Sequence, residues 1–206
     1  MISENTGEGI IHEQYRNSIR KEVFRKLIHI CSAVIPLLLS FWYTPVIILL
    51  VIADVFYCIS EFLRMKGINV PVISHITQIA ARKRDENHFV AGPVTLVAGI
   101  VMTALLWQPD PARIGIYALS FGDGLASLCG KLFGHIYIPL THGKTAAGSL
   151  TCFTAVFISS FAVCRNAFTS FVLAGTAMMI EVLPRGDFDN LIIPVVVGGL
   201  AQVLLP

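Results

Sequence analysis

The chain has 206 residues, of which 55% are hydrophobic and 14% are charged, and its mean hydropathy is +0.73. Soluble domains carry about 25% charged residues, so this composition excludes an ordinary soluble domain and predicts a polytopic helical membrane protein. The net charge of +2 gives no indication of a nucleic-acid partner, and none is expected.

Apolar segments predict about seven membrane-spanning helices. The first apolar run, 27–63, would be about 55 Å long as one helix, whereas a hydrocarbon core is about 30 Å thick. Trp42, Tyr43 and Pro45 predict a turn within it, because aromatic residues favour the membrane surface and proline interrupts helices. The predicted spans are 27–42, 45–63, 89–107, 111–130, 145–164, 166–183 and 189–205.

The predicted fold is therefore an all-α transmembrane bundle with a single integral membrane domain at 27–206. A cytosolic N-terminal segment at 1–26 precedes it. With the N-terminus in the cytosol, 13 of the 15 lysines and arginines fall on the inner side, and only Arg113 and Arg165 fall on the outer side. This bias follows the positive-inside rule and predicts that the functional loops face the cytosol of a cell membrane or endomembrane.

The fourth predicted span contains a carboxylate, Asp123. Charge inside a bilayer costs several kcal/mol at least, so such residues are usually functional. Asp123, Ser127 and Lys131 form a polar stripe, with Asp123 about 12 Å deeper than Lys131. The alternative is an interhelical hydrogen bond or ion pair that holds the bundle together. From the sequence alone, Asp123→Asn is expected to fold normally. A neighbouring stripe of small residues predicts close packing of another helix: Gly122, Ala126, Gly130 and Gly134.

The loop THGKTAAGS follows this span and opens the next one. Gly143 and Gly148 permit close backbone approach, Lys144 supplies positive charge, and Thr145 and Ser149 share one side of the helix start. Backbone donors at a helix N-terminus favour phosphate groups. The fragment resembles the end of a P-loop, but the glycine required five positions earlier is missing and no strand precedes it, which excludes a P-loop NTPase.

Acidic and amide side chains meet where the sixth predicted span ends and the seventh begins. They are Glu181, Asp187, Asp189 and Asn190. Helix capping is the ordinary explanation for one of them. Together, however, their oxygens suit Mg²⁺ bound with a nucleoside triphosphate.

Charged residues also lie before the third span and within the first two. Arg82, Arg84 and Glu86 are either part of the site or a solvated positive-inside cluster. Asp54 and Glu61 suit either a functional face or an internal polar contact. A last group is interpreted as orientation signals and interface anchors: Arg25, Lys26 and His29.

With these segments in order, the chain resembles the polyprenol kinase family, which includes dolichol kinase, phytol kinase and CTP-dependent diacylglycerol kinase. The matching segments are RKLIHI at 25–30, RKRDENHFVAG at 82–92, GDGLASLCGKLFG at 122–134, GKTAAGS at 143–149 and EVLPRGDFDNLIIP at 181–194. The resemblance implies transfer of a phosphoryl group from CTP, or another nucleoside triphosphate, to the hydroxyl of a membrane lipid alcohol. The acceptor is either diacylglycerol or an alcohol of the polyprenol or phytol type.

The resemblance also implies roles for individual residues, with Mg²⁺ or another divalent cation as cofactor. The catalytic residues would be Asp123, Lys144 and Glu181. The nucleotide would be bound by Arg82, Arg84, Lys131, Gly143, Lys144, Thr145, Gly148, Ser149 and Asn190. The metal would be held by Glu86, Asp123 and Asp189.

Two other functions remain open from the sequence. The phosphatidate cytidylyltransferases share the GD and K…GS segments, but they end in a run with an arginine between acids, where this chain has Asp189 and Asn190. A small ion-coupled transporter would use Asp54, Asp123 and Glu181 as intramembrane ligands. The chain lacks an obvious inverted repeat, which weighs against transport.

Overall fold

The computed structural model of the chain describes residues 4–68, 88–139, 141, 143–183 and 186–205. This part is almost entirely helical, as predicted, with one isolated bridge between Tyr137 and Thr145. Its α-helices are α1 Glu4–Cys31, α2 Ile35–Met65, α3 Gly92–Leu106, α4 Pro109–Tyr117, α5 Gly124–Phe133, α6 Ala146–Cys164, α7 Ala167–Val182 and α8 Asp189–Leu204. Two short 3-10 turns are present, at Ser32–Val34 and Gly186–Phe188. A π-helical turn, Ala118–Asp123, joins α4 to α5.

The turn predicted in the first apolar run is a kink inside α2. Trp42 has the non-helical angles φ −138° and ψ 62°, and Pro45 follows within the same helix. Proline lacks the N–H that would bond to the preceding turn, which accounts for the break. Helix α1 runs without interruption through the predicted boundary between residues 26 and 27, and that boundary stays a prediction.

Three helical stretches in the described residues are long and apolar enough to cross a membrane. They are Ile19–Met65, Ala146–Cys164 and Gly186–Leu204. Gly92–Leu106 and Ala167–Val182 are apolar but shorter. The helices follow the predicted segments, whereas the number of about seven crossings and the assignment of 1–26 to the cytosol stay predictions.

The six helices from α3 to α8 all contribute side chains to the apolar core. Helix α8 packs against α3, α4 and α7. Its fully buried side chains include Ile100, Ile114, Leu119, Val156, Leu173 and Ile193. Most of α2 lies outside this core, and its apolar side chains are exposed, which suits contact with lipid.

The small-residue stripe packs against α6, as predicted. A Cβ atom at Gly122 would lie 2.7 Å from Val156 Cγ2, and one at Gly130 would lie 2.9 Å from Thr145 Oγ1. These distances leave no room for a side chain, so the stripe brings the π turn and α5 into direct contact with α6.

The segment between α5 and α6 is a hairpin that fixes the position of Lys144. Ile138 N donates to Lys144 O and Ala146 N donates to Ile136 O, each at 2.9 Å. Gly143 has φ +96°, a left-handed conformation that favours glycine. The end of α5, the start of α6, the end of α7 and the start of α8 consequently meet at one end of the bundle.

Candidate active site

Asp123 lies at the last position of the π-helical turn and is 3% exposed. Turns of this kind are often found at functional sites. Its Oδ2 atom accepts a hydrogen bond from Lys26 Nζ on α1. His29 Nδ1 lies 3.1 Å from the same oxygen. We refer to Lys26, His29 and Asp123 as the Asp123 cluster.

The remaining residues of the polar stripe also have partners on α1. Ser127 Oγ donates to Glu22 Oε1, and Lys131 Nζ lies 3.4 Å from Glu22 Oε2. On the other side of Asp123, the hydroxyls of Ser32 and Ser120 are 2.6 Å apart. Two polar stripes therefore run antiparallel along the contact between α1 and the π turn with α5.

This arrangement corrects the interpretation of the first span. Lys26 and His29 are not interface anchors, because they are 4% and 3% exposed and contact Asp123. Arg25 bonds to Glu22 at 2.6 Å, one turn away on the same helix. The sequence does contain a signal for this contact: the residues on α1 recur at helical spacing, in mirror order to those on α5.

A second group of charges surrounds Lys144 at the start of α6. Lys144 Nζ donates to Glu181 Oε1 at 2.6 Å, and Ser149 Oγ donates to Glu181 Oε2 at 3.4 Å. Glu181 ends α7, and Asp189 begins α8; both carboxylates are buried. We refer to Lys144, Ser149, Glu181 and Asp189 as the Lys144 cluster.

The two clusters are close enough to share an electrostatic environment. Burial opposes the charge of Lys144, but the Glu181, Asp123 and Asp189 carboxylates together raise the pKa of its ammonium above the ordinary value. Asp123 is paired with Lys26 and Glu181 is paired with Lys144. Neither of these two lysines is paired with Asp189, and the buried Oδ1 of Asp189 has no hydrogen-bond partner among the described residues. The combined site therefore has one more acid than lysine.

The other loop residues serve the local structure. Thr145 is the N-cap of α6, and its Oγ1 accepts from Gly148 N at 3.2 Å. Asn190 Nδ2 donates to Gly92 O and to Thr95 Oγ1, at 3.2 and 3.1 Å, and so joins α8 to α3. The Lys131 ammonium contacts the Glu22 carboxylate on α1 and is not part of the Lys144 cluster. Whether Gly143, Thr145, Gly148, Ser149 and Asn190 contact a nucleotide stays a prediction.

Three other sequence expectations have separate outcomes. Arg82, Arg84 and Glu86 lie outside the described residues. Glu61 makes an internal polar contact, because it is fully buried and accepts from Arg64 and from Val90 N. Asp187 belongs to the 3-10 turn that leads into α8.

The carboxylate oxygens of the two clusters are too few to bind a divalent cation by themselves. They fit better a cation that is also bound by the phosphates of a nucleotide. The described residues contain no group of three or more His, Cys, Asp or Glu that would hold a metal ion. Mg²⁺ commonly takes only one or two carboxylates and completes its shell with phosphates and water. The Asp189 oxygen that has no hydrogen-bond partner among the described residues could supply one such ligand, whereas Asp123 Oδ2 already accepts from Lys26.

Comparison with known proteins identifies relatives among membrane lipid kinases. A phytol kinase from Synechocystis is 29% identical over 182 residues, which cover 84% of this chain and 75% of the relative. Probable phytol kinase 1 of Oryza sativa subsp. japonica is 25% identical over 214 residues, with coverages of 92% and 66%. CTP-dependent diacylglycerol kinase 1 of Saccharomyces cerevisiae is 26% identical over 152 residues, with coverages of 72% and 52%. The chain is therefore similar to phytol kinases and to CTP-dependent diacylglycerol kinases.

These similarities confirm the resemblance carried by the five sequence segments. No family model and no solved structure matches the chain. The chain spans 66% of the length of the Oryza sativa relative and 49% of a probable phytol kinase from Zea mays. Similarity alone therefore does not assign the activity of those longer proteins to it.

Proposed function

We propose that the protein is a membrane lipid kinase that transfers the terminal phosphate of CTP, or another nucleoside triphosphate, to the hydroxyl of a long-chain lipid alcohol. The observation that carries this proposal is the position of Lys144, on a glycine-containing hairpin close to Asp189, a buried acid whose Oδ1 has no hydrogen-bond partner among the described residues. The names of the relatives, which are phytol kinases and CTP-dependent diacylglycerol kinases, support the reaction class and the choice of CTP.

The donor nucleotide binds at the Lys144 cluster. Lys144 exchanges its contact with Glu181 for the phosphates, which are the stronger anionic partner. The left-handed Gly143 has open space around its Cα, so a phosphate can approach the backbone there. Lys131, Thr145, Gly148, Ser149 and Asn190 stay assigned to this nucleotide site, together with Arg82 and Arg84 from the second cytosolic loop.

A divalent cation, Mg²⁺ in the first instance, would be held by Asp189, and by Glu181 if Lys144 moves to the phosphates. Glu86 is a further candidate ligand. When bound, the cation neutralises charge on the transferring phosphoryl group. We place Asp123 on the acceptor side instead, because Lys26 engages its carboxylate.

The acceptor enters from the bilayer and presents its hydroxyl at the Asp123 cluster. The hydroxyl oxygen attacks the terminal phosphorus, and the bond from that phosphorus to the bridging oxygen breaks. The electron pair leaves with the nucleoside diphosphate, and the hydroxyl proton passes to the Asp123 cluster. Such transfers depend mainly on positioning and on charge stabilisation, which are the contributions that the two clusters offer.

The site faces the cytosol in this proposal, where nucleoside triphosphate is available. The charged ends of α5, α6, α7 and α8 meet at one end of the bundle. Arg165, by contrast, caps the far end of α6, and Arg113 lies within α4, before the π turn and α5. This distribution supports the positive-inside orientation.

The reaction is tested with the purified chain, CTP labelled at the α or the γ phosphate, and a panel containing phytol, a polyprenol, diacylglycerol and phosphatidate. Label from the γ position on an alcohol is the expected result. Label from the α position on phosphatidate would indicate a cytidylyltransferase instead, and no labelled lipid with any member would reject both. Asp110→Asn, a change at an exposed acid on α4, is the control variant and should transfer label as wild type does.

A further inference from the structure

A polar stripe near the end of α2 contains a fully buried acid. Tyr57, Glu61 and Arg64 recur at spacings of four and three residues, which places them on one face of the helix. Glu61 is 0% exposed, and its two carboxylate oxygens accept from Arg64 at 2.8 and 2.7 Å. Acidic side chains are almost never fully buried unless they are paired, so the surroundings of this pair indicate what it does. We refer to Tyr57, Glu61 and Arg64 as the Glu61 cluster.

The Glu61 cluster bonds to the backbone just before α3. Glu61 Oε1 accepts from Val90 N at 2.9 Å, and Tyr57 Oη donates to Val90 O at 3.2 Å. Arg64 Nη2 donates to His88 O at 2.9 Å. Val90 is buried and lies outside any helix, so its backbone N–H and C=O groups require partners from elsewhere. The side chains of α2 supply those partners and so hold the entry to α3.

The start of α3 also bonds to the start of α8. Asn190 Nδ2 donates to Gly92 O at 3.2 Å. A Cβ atom at Gly99 would overlap with Asn190 O, so the two helices are in direct contact here. Only the backbone of residues 90–92 separates the hydrogen bond of Glu61 from that of Asn190. A displacement of this backbone therefore reaches the first turn of α8.

The first turn of α8 carries the acid of the donor site. Asp189 immediately precedes Asn190, and its buried Oδ1 has no hydrogen-bond partner among the described residues. No hydrogen bond from those residues fixes this oxygen, so its position depends on the backbone that carries it. That backbone is held against α3 by Asn190.

We propose that Glu61 is a positioning residue for the donor site. By holding Val90, it keeps the start of α3 in contact with α8 and so fixes the turn on which Asp189 lies. This inference rests on the proposed function, in which Asp189 holds the cation that accompanies the nucleotide. Buried ion pairs contribute little net stability compared with well-packed apolar residues. A role in fixing one arrangement of α2, α3 and α8 accounts for the buried charge better than stability does.

Hydrogen exchange tests this positioning without nucleotide or metal. Amide exchange is measured in detergent for peptides that cover 88–95 and 186–193, in wild type, Glu61→Leu and Glu61→Gln. Glu61→Leu leaves Val90 N without its acceptor, so exchange in both peptides should rise about tenfold, the effect of one lost hydrogen bond at a buried group. Glu61→Gln keeps an acceptor oxygen but loses the charge, so exchange should rise less, by about threefold.

Phosphoryl transfer gives a second readout. In Glu61→Leu, the Mg²⁺ concentration for half-maximal transfer of γ label should rise about tenfold, as when a group that supports a metal ligand is lost. The KM for the lipid alcohol should stay within about twofold of wild type. A purely structural role would lower the amount of folded enzyme, and hence the maximal rate, without changing the Mg²⁺ requirement.

Ser60→Ala is the matched control for both measurements. Ser60 is the neighbour of Glu61 on α2 and is equally buried, but its hydroxyl donates to Phe56 O within the same helix. The variant should match wild type in the exchange of both peptides and in its Mg²⁺ requirement.

The outcomes separate this inference from the proposed function. Wild type that transfers no label to a lipid alcohol would reject the proposed function, and the exchange data would then judge the link from α2 to α8 alone. Faster exchange at 88–95 with wild-type exchange at 186–193 would overturn the positioning role, as would unchanged exchange in both peptides. An unchanged Mg²⁺ requirement in active Glu61→Leu would also overturn it. If Glu61→Leu does not fold, Glu61→Gln decides by the same criteria.

Discussion

Lys26 on α1 is ion-paired with Asp123 on the π-helical turn, 97 positions away in the chain, and both side chains are 5% exposed. The pair connects a helix that lies outside the apolar core to the part of the bundle that carries the Lys144 cluster. Removing one partner of a buried pair leaves an uncompensated charge, whereas removing both does not. Because of this pair, Asp123→Asn should lower the stability of the fold, contrary to the expectation from the sequence alone.

A double-mutant cycle tests this contact. Lys26→Met and Asp123→Asn should each lower the free energy of unfolding by about 3–5 kcal/mol, and the double variant should be more stable than the sum of the two losses predicts. Denaturant unfolding in detergent gives the three values. The exposed pair Arg113 and Asp110, 3.3 Å apart, is the control and should show little coupling. Additive losses at Lys26 and Asp123 would contradict the ion pair.

The contact between the π turn and α6 makes a prediction about glycine. Gly122→Ala should lower the unfolding free energy by about 1–3 kcal/mol, because its Cβ would approach Val156 Cγ2 at 2.7 Å. Gly175→Ala is the matched control on α7, where no atom lies within 4 Å of the added Cβ. The control should be neutral or stabilising by about 0.5–1 kcal/mol. Equal thermal stability of the two variants would reject the close packing.

Lys144→Ala tests the donor site. Loss of a charged hydrogen-bonding partner should weaken binding of CTP by about tenfold to a hundredfold, with a much smaller effect on cytidine, which lacks phosphates. Equilibrium binding to the folded variant gives both affinities. Lys66→Ala, at an exposed lysine at the end of α2, should bind as wild type. A Lys144→Ala variant that binds CTP normally would remove the phosphate role from this loop.

Membrane orientation is tested by labelling single cysteines in a background without the five native ones. The positive-inside bias predicts that a cysteine at His135, between α5 and α6, reacts only with reagent on the cytosolic side. A cysteine at Asp110, at the start of α4, should react only from the other side. The reverse pattern would place the Lys144 cluster on the wrong side of the membrane for cytosolic nucleotide.

Local features of the fold were predictable from the sequence because their causes are local. Proline and aromatic residues marked the kink near Trp42, and the spacing of Gly122 and Gly130 marked a face for close packing. The polar stripe from Asp123 to Lys131 was likewise visible as a helical repeat, and Lys144 was correctly placed just before a helix start.

The partners of these residues were not predictable in the same way. Lys26 and His29 occur in a basic segment before an apolar run, where the positive-inside rule already accounts for positive charge. Their contact with Asp123 depends on how α1 packs, which is a tertiary property. For the same reason the sequence does not show that the Asn190 amide joins α8 to α3, and the nucleotide-binding role of Asn190 stays a prediction.

Phosphoryl transfer to a lipid alcohol should depend on Asp123, and the rate of γ-label transfer from CTP by Asp123→Asn tests this dependence. The amide lacks the charge and basicity of the carboxylate, so the rate should fall by at least about a hundredfold in folded protein, with CTP still bound. Asp110→Asn should transfer label as wild type does. Near wild-type turnover by folded Asp123→Asn would contradict the account, because it would remove Asp123 from the active site.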